Sequence, residues 1–255
     1  MVDVFIKCGE KIYNPAVKDG LSLSLERVGV CGKVDFEVYY DEALNIEHGN
    51  VVMLKVDGID LFYGFVFILK EKPKTRTIKI TAYDQLRYLK NKETYSYTNK
   101  TASDVIKMIA NDFRLNVGDL ADTKYKIASR VEDNKTLFDI ILWALDETLK
   151  NTGRLYVFYD DFGKLRLKDV EHLKLDILID DFESYDMTSS IDDETYNQIK
   201  LTKENKETGV NEVYIAKNSS NINKWGMLQY YETADDGINP KNQADVLLSL
   251  HNKLK

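Results

Sequence analysis

The chain has few of the residues that build fibrous or cross-linked proteins. Its 255 residues include 3 prolines, 13 glycines and 2 cysteines, which excludes collagen-like chains and proline-rich linkers. Cys8 and Cys31 are too few for a disulfide framework and lack the C-x-x-C spacing of redox and zinc motifs. We therefore expect two small buried thiols in a globular protein.

An excess of basic charge and a long hydrophobic run are also missing. Lys and Arg number 35 against 42 Asp and Glu, a net charge of −7, which excludes the overall positive charge typical of nucleic-acid-binding domains. The longest apolar run, residues 61–69, contains Gly64 and is far shorter than the ~20 residues that span a bilayer. Asp3 stands where a signal peptide carries bases. These features predict a soluble protein made in the cytosol, with no membrane partner.

Alternating apolar and polar residues dominate residues 1–90 and predict strands with one buried and one hydrated face. The 16 tyrosines suit such strands, because the ring packs while the hydroxyl stays hydrated. Asp57-Gly58 predicts a hairpin between two of the strands, and Gly64 predicts a bulge or bend. The spacing favours a small β-barrel or sandwich as a first domain, residues 1–90. The predicted strands cover residues 21–25, 34–38, 51–56, 61–69 and 78–82.

Helical periodicity appears in the next part of the chain. A short helix is predicted at residues 84–89, and capping boxes at Thr101–Asp104 and Thr136–Asp139 open two longer helices. Gly153 ends the second of these helices. A hairpin follows, with strands at residues 155–159 and 164–168. These elements predict an α+β domain over residues 91–185.

Strand patterns return in residues 186–255, which we predict to form a second β domain ending in a helix. Strands are expected at residues 197–202, 213–216 and 225–231, with a turn at residues 206–209 between the first two. Asn239-Pro240 opens the last helix. The predicted fold class is therefore α+β and β-rich.

Several short motifs resemble catalytic or binding signatures but fail in their context. Residues 29–33 end like a phosphate-binding loop, yet Arg27 and Val34 replace the required Gly and Ser or Thr. Asp161-Phe162-Gly163 spells a kinase tripeptide within a predicted hairpin turn. Residues 235–237 (Asp-Asp-Gly) suggest a calcium loop, but Ala234 and Gln243 occupy ligand positions. We expect turns at the first two places and no calcium site at the third.

The histidines and acidic residues, which are scattered along the chain, also predict no specific site. His48, His172 and His251 lack a ligand partner at helical spacing. Each acidic doublet points to opposite faces of a strand, so a catalytic pair would need acids from separate segments, which the sequence leaves open. The sequence therefore predicts no catalytic, cofactor-binding or metal-binding residue. The acidic doublets are Asp160-Asp161, Asp180-Asp181 and Asp192-Asp193.

An aromatic segment, residues 225–231, together with Tyr214, is the remaining candidate. Exposed aromatic rings stack on sugars or bases. Alternating aromatic residues are also ordinary strand formers, and we favour a packed strand here.

Five longer stretches carry a further signal: residues 81–92, 99–103, 129–140, 159–165 and 219–226. They resemble the XkdQ-type baseplate hub proteins of contractile phage tails and phage-tail-like bacteriocins. The resemblance runs from about residue 60 to the end of the chain.

This resemblance implies a structural protein rather than an enzyme. Members of the family form a homotrimeric hub between the hexameric tail tube and the spike, alongside other baseplate proteins. Each subunit carries two small β-barrels with an α+β domain inserted between them, which agrees with the pattern above. Family members continue beyond the last helix with strands that complete the second barrel, so an incomplete second β-barrel-like domain is implied here.

The resemblance further implies a location in the virion or a tail-like particle, assembled in the bacterial host cytoplasm. DNA would pass through the hub without specific binding, and no cofactor is implied. Two alternatives stay open: a peptidoglycan-degrading tail hydrolase, and a carbohydrate-binding module using Trp225 and Tyr230.

Overall fold

The computed structural model describes residues 1–41, 44–173, 186–192, 194–205, 209–234 and 239–254. The chain divides into two compact units, residues 1–145 with 155–173 and residues 146–154 with 174–255. Strands predominate in both units, and helices accompany them, which confirms the α+β, β-rich fold class.

A seven-stranded antiparallel sheet forms the N-terminal part of the first unit, in the order β2-β1-β5-β6-β7-β4-β3. It curves as half a barrel, and all five strands predicted for residues 1–90 are present. The strands are β1 (Val2–Cys8), β2 (Lys11–Tyr13), β3 (Val17–Ser24), β4 (Lys33–Tyr39), β5 (Val51–Val56), β6 (Ile59–Lys72) and β7 (Thr77–Tyr83).

The β5–β6 hairpin is the tight turn predicted from Asp57-Gly58, with φ values of 50° and 79°. Of the bulge or bend predicted at Gly64, the bulge is wrong, because Gly64 pairs in register with Val52. The register shifts of β6 lie elsewhere, on either side of this glycine. Gly64 is needed for close approach, since a Cβ there would lie 2.4 Å from the carbonyl oxygen of Tyr83.

One face of this sheet buries a hydrophobic core that includes Ile6, Phe36 and Leu54. The opposite face of β6 carries Tyr63, Phe65 and Phe67 at alternate positions, as period-two geometry requires.

The rest of the first unit combines one helix and the first part of another with two small sheets. The strands β8 and β10 form an antiparallel ribbon, while β11, β12 and β9 form the second sheet, in which β12 and β9 are parallel. The predicted hairpin is β11–β12, whereas β8, β9 and β10 were not predicted. The elements are β8 (Lys92–Lys100), α1 (Ala102–Asp112), β9 (Val117–Leu120), β10 (Ile127–Thr136), α2 (Leu137–Thr152), β11 (Tyr156–Asp160) and β12 (Leu165–Asp169).

Both helices begin as the sequence predicts. Thr101 and Asp104 make the two reciprocal hydrogen bonds of a capping box, each 3.1 Å long. Thr136 accepts a hydrogen bond from the backbone of Asp139 at 3.1 Å. Gly153, with φ of 70°, follows the last residue of α2.

A second hydrophobic core lies beneath α1 and α2 and includes Ile106, Ile109 and Ile140. Cys31 and the short 3₁₀ helix Gln85–Lys90 also contribute to this core. Residues on both sides of the predicted boundary at 90/91 therefore share one core. Cys31 is buried and Cys8 is half-buried.

The described part of the second unit contains a three-stranded sheet in the order β14-β13-β15, with β15 parallel to β13. Its core joins Ile199 and Leu201 of the sheet to Ala244 and Leu247 of the last helix. The elements are β13 (Gln198–Glu204), β14 (Asn211–Lys217), α3 (Ser219–Trp225), β15 (Gln229–Thr233) and α4 (Pro240–His251).

The predicted strand over residues 225–231 is wrong in its first half. Trp225 is the last residue of α3, which Asn218 caps by accepting a hydrogen bond from the backbone of Asn221 at 3.0 Å. Gly226, with φ of 79°, ends the helix, and the strand begins only at Gln229. Local capping therefore overrides the strand propensity of the aromatic residues.

Some sequence predictions fall on positions outside the described residues: most of the turn at 206–209, the Asp-Asp-Gly stretch at 235–237, Asp180-Asp181 and Asp193. The boundary at 185/186 also stays a prediction. Within the described ranges, none of the helices has the length and apolar character needed to cross a membrane.

Candidate functional site

Asp84 is a buried acid at the junction between β7 and the following 3₁₀ helix. Its side chain is held by two backbone donors, Gly32 at 2.7 Å and Leu86 at 3.0 Å. The residue is 3% exposed. Asp84 therefore ties the segment before β4 to the cap of the 3₁₀ helix.

Gln85 extends this arrangement towards the β11–β12 hairpin. Its Nε2 atom donates to Oδ2 of Asp160 at 2.7 Å. The same side chain accepts from the backbone N–H of Asn116 at 2.9 Å and donates to its carbonyl at 3.2 Å. Asp160 also accepts a hydrogen bond from the backbone of Gly163 at 2.8 Å. We refer to Asp84, Gln85, Asn116 and Asp160 as the carboxylate joint.

Burial dominates the electrostatics of the joint. It raises the pKa of Asp84 to about 7, the charge of Asp160 adds to this rise, and the N–H donors of Gly32 and Leu86 oppose it. Burial also raises the pKa of Asp160, against the hydrogen bonds from Gly163 and Gln85. The two acids come from segments that are far apart in the sequence.

Ring packing fixes the hairpin turn beside the joint. The turn has φ values of 48° at Phe162 and 80° at Gly163, as in a type I′ turn. The Phe162 ring lies 5.6 Å from the ring of Tyr63, edge to face. A Cβ on Gly163 would lie 2.6 Å from the Tyr63 ring, so only glycine fits here without a shift.

The hydrogen bonds and burial of Asp84 and Asp160 favour a structural role over acid–base catalysis. Each of the four carboxylate oxygens of Asp84 and Asp160 accepts an N–H donor from the protein. A groove of about 500 Å³ on the first unit is lined instead by Tyr13, Tyr39, Tyr40 and Arg76, among others, and includes neither acid. General acid catalysis needs a proton within reach of a substrate, whereas Asp84 is enclosed.

The motifs that resembled nucleotide-binding signatures have structural roles. The backbone N–H of Gly32, which would face a phosphate in a phosphate-binding loop, donates to Asp84 instead. Asp161-Phe162-Gly163 forms the hairpin turn described above, as the sequence predicts.

Among the described residues, the histidines do not come together with other ligands in one site. His251 packs against Tyr196 and Tyr230, with ring centroids 5.5 and 6.2 Å away. Its Nδ1 lies 3.0 Å from the carbonyl oxygen of Glu194. Among the described residues, no three His, Cys, Asp or Glu side chains are grouped so that they could hold a metal ion.

The aromatic segment near the C-terminus does not form one stacking platform. Trp225 ends α3, while Tyr230 and Tyr231 are adjacent on β15 and so face opposite sides of the sheet. Tyr230 packs against His251, whereas Tyr231 is 59% exposed with Lys200 Nζ 5.7 Å from its ring centroid. Trp225 and Tyr230, the residues of the carbohydrate-binding alternative, thus lie in different elements.

Open sheet edges are the features best suited to contact other proteins. In the described residues β2 and β3 end the first sheet, and β14 and β15 end the sheet of the second unit. Edge strands offer unpaired backbone groups to a partner. Sequence patterns located three of these four strands but did not show which ones lie at an edge.

Comparison with solved structures identifies a similar fold in a phage protein. The 43 kDa tail protein of prophage MuSo2 from Shewanella oneidensis aligns with a TM-score of 0.64 at 15% identity. The alignment covers 98% of this chain and 77% of that one. At this identity the likeness concerns the fold.

Two curated proteins of Bacillus subtilis strain 168 are similar in sequence. YqbQ is 37% identical over an alignment of 202 residues, and the match covers 76% of this chain and 60% of YqbQ. The protein XkdQ of the phage-like element PBSX is 36% identical over an alignment of 225 residues, and the match covers 84% of this chain and 65% of XkdQ. The chain thus spans less than two thirds of the length of either relative. The YQBQ-like family model matches residues 21–255, and the chain therefore belongs to the YQBQ-like family.

Proposed function

We propose that this chain is a structural subunit of a contractile phage tail or a tail-like particle, bacteriocins included. The observation that carries the proposal is the 36% identity to XkdQ of the phage-like element PBSX over 225 residues. The shared fold with a prophage tail protein over 98% of the chain supports it. Its location would be the virion or tail-like particle, assembled in the host cytoplasm.

Within that particle we assign the chain to the baseplate hub. There it would join the hexameric tail tube to the trimeric spike as a homotrimer. The curved sheet of the first unit and the smaller sheet of the second would supply the two β modules of each subunit. Their open edges support this role, because such edges pair readily with neighbouring subunits.

Net charge supports a tube-lining role. A channel that conducts DNA should not grip phosphates, and a charge of −7 per subunit disfavours such contacts. DNA would therefore pass without specific binding.

A non-enzymatic role fits the carboxylate joint. The acids brought together, Asp84 and Asp160, each have both oxygens bound to N–H donors, and Asp84 is enclosed. A peptidoglycan hydrolase would need an acid that reaches its substrate. Neither of the alternatives named from the sequence is favoured by a described feature.

The direct test of the role is a deletion in the host that carries the gene. We expect particles that lack this chain to stop at an early assembly stage, with free sheaths or tubes and no complete baseplates under the electron microscope. Complementation with the wild-type gene should restore full tails. Normal, infectious or bactericidal particles from the deletion strain would overturn the proposal.

A further inference from the structure

The face of the first sheet opposite its core is aromatic at one end and basic at the other. Tyr63, Phe65 and Phe67 lie at the aromatic end, where rings of the β11–β12 hairpin and of the 3₁₀ helix contact them. At the other end of the face, Lys70 and Lys79 are exposed. We refer to this second end as the basic face. Its charged residues are Lys18, Asp35, Glu37, Lys70, Lys72 and Lys79, together with Lys74 and Arg76 in the turn between β6 and β7.

The strand register sets a row of charges across the basic face. Lys70 and Lys79 are cross-strand partners, so these two exposed side chains stand directly opposite each other. Like charges in opposed positions disfavour strand pairing, and an anionic partner on this face would offset that penalty. The row crosses β3, β4, β7 and β6 through the successive partners Lys18, Glu37, Lys79 and Lys70.

The acids within the basic face are already bonded. Glu37 accepts a hydrogen bond from Lys72 at 2.5 Å and lies 3.7 Å from Nζ of Lys18. Asp35 is paired with Lys33 at 2.6 Å. Four basic side chains of the face have no ion pair or side-chain hydrogen bond with a described residue. They are Lys70, Lys74, Arg76 and Lys79.

The chain itself contains a segment of the opposite charge. Residues 175–194 include eight Asp or Glu and no Lys, Arg or His. Residues 186–192 and 194 of this acidic segment are among the described residues. There Asp186 and Asp192 are exposed, and Met187 is 81% exposed. The acidic segment therefore offers carboxylates and an apolar side chain at the protein surface.

We propose that the basic face binds the acidic segment, residues 175–194, of a neighbouring copy of this chain. Complementary charge favours this occupant, because Lys70, Lys79 and Arg76 lack the carboxylates that the segment carries in excess. The proposal rests on the function proposed above, which places copies of the chain side by side. A contact between two different surfaces is heterologous, and such contacts can close into a ring of three copies.

The acidic segment is long enough to cross the basic face. The row from Lys18 to Lys70 covers three strand spacings, which is about 15 Å. About five extended residues span that distance. A single pass over the face therefore brings several carboxylates to it. The densest group of acids is Asp180, Asp181, Glu183 and Asp186.

An acidic protein segment suits the basic face better than DNA does. Hydrogen bonds from Lys72 and Thr77 lower the pKa of Glu37 to about 2, so this carboxylate is charged at neutral pH and would repel a phosphate backbone. Ile68 and Tyr39 lie on the same face and are 51% and 52% exposed. Such apolar and aromatic area is typical of contacts between proteins.

Carbodiimide cross-linking of the full chain tests the contact, because this reagent joins a lysine amine to a carboxyl group that touches it. Unlabelled and nitrogen-15-labelled copies are mixed, so that a cross-link between copies can contain one peptide of each kind. We expect such mixed cross-links between Lys70, Lys74 or Lys79 and acids of residues 175–194, with a yield that falls as salt is added. A wild type whose cross-links from these lysines all lie within one copy, or that gives none, would overturn the proposal.

Charge reversal separates the contact from folding. Lys70→Glu places a carboxylate opposite Lys79, which favours strand pairing, so the urea midpoint should not fall. The same variant should reduce the mixed cross-links from Lys74 and Lys79 roughly tenfold. Lys126→Glu is the matched control: Lys126 is exposed and lies outside the basic face, and this variant should cross-link like the wild type.

A charge swap tests the acidic segment itself. Asp180→Lys combined with Asp181→Lys should lose the mixed cross-links, and adding Lys70→Glu with Lys79→Glu should restore mixed cross-links between the same two regions. Wild-type yields in both one-sided variants would overturn the contact. If the deletion blocks tail assembly but the wild type gives no mixed cross-links, the structural role stands and only the contact is lost. If particles form normally without the chain, the proposed function fails, and the cross-links still decide the contact between copies.

Discussion

Gln85 and Asp160, 75 positions apart in the chain, are joined by a hydrogen bond of 2.7 Å. Gln85 directly follows Asp84, whose two oxygens are held by the backbone of Gly32 and Leu86. Through this bond the end of the first sheet is fixed to the β11–β12 hairpin. We therefore expect the sheet and the hairpin to stay joined in the folded protein. The pKa of Asp84 and the stability of the fold against pH can both be measured.

The first prediction concerns the coupling of the two acids. Asp160→Asn should lower the pKa of Asp84 from about 7, because the charge of Asp160 contributes to the rise. Burial is the larger cause, so the pKa should stay above 3.8. Carbon-13 NMR titration of the Asp84 carboxyl measures it. Asp161→Asn is the control and should leave Asp84 nearly unchanged; equal effects of the two variants would refute direct coupling.

The second prediction concerns stability against pH. The folded-state pKa of Asp84 lies above its unfolded value, so the folded state retains a proton that the unfolded state has released. The free energy of unfolding should therefore fall as pH rises from 3.8 to about 7. This fall in the free energy of unfolding should not exceed roughly 4 kcal/mol, because each unit of pKa shift corresponds to about 1.4 kcal/mol. Urea titrations across this range measure the effect, and a flat profile would contradict it.

Glu37 provides a control of opposite sign. Hydrogen bonds from Lys72 and Thr77 lower its pKa to about 2. Its contribution is therefore present above pH 4.5 and lost as pH falls towards 2. Glu37→Gln should change the acid end of the profile and leave the slope between pH 4.5 and 7 as in the wild type.

The third prediction concerns the hairpin turn. Gly163→Ala introduces both a positive φ for alanine and a contact of 2.6 Å with the Tyr63 ring. Gly58→Ala has a similar φ, 79°, with no atom within 4 Å of the new Cβ. We expect a loss of about 1 kcal/mol for Gly58→Ala and a further 1–3 kcal/mol, roughly, for Gly163→Ala.

Urea denaturation of both glycine variants gives the comparison. Adding Tyr63→Ala should remove most of the extra cost of Gly163→Ala, because the ring is the atom group that the new Cβ meets. Equal losses in the two single variants would show that the Tyr63 contact relaxes freely.

The fourth prediction concerns the cap of α1. Thr101→Ala removes the side-chain half of a capping box whose partner is Asp104. We expect a loss of about 1 kcal/mol of unfolding free energy, within the usual range for such caps. Asp104→Ala removes the reciprocal bond and serves as the comparison. Thermal unfolding of both variants that matches the wild type would contradict a stabilising cap.

Most of the strands, turns and helix starts that the sequence predicted correctly follow from patterns of neighbouring residues. Period-two alternation located the strands of the first sheet, and Asp57-Gly58 located its tight turn. Capping residues located the starts of α1 and α2. Each of these features depends on residues within a few positions of one another, where a single pattern is sufficient.

Features set by distant contacts were missed. The polar strands β8 and β10 form a ribbon because they pair with each other, and β9 pairs in parallel with β12. Neither pairing leaves a clear local pattern. Asn218 and Gly226 were available as cap signals for α3, but the aromatic residues Trp225, Tyr230 and Tyr231 favoured a strand.

The candidate site was less predictable than the fold. Asp84 and Asp160 appeared within stretches that resemble the family, yet their connection through Gln85 requires the folded chain. The sequence could indicate that a pair of acids from separate segments was possible. It could not identify the pair, because 42 acidic residues offer many combinations.

The proposed hub role is best tested by cryo-electron microscopy of purified tails or tail-like particles. We expect three copies of the chain in a ring at the distal end of the tube, above the spike, with strand edges in contact between subunits. Particles whose distal ring contains no density for this fold, or that hold it as a detached single copy, would rule out the hub role.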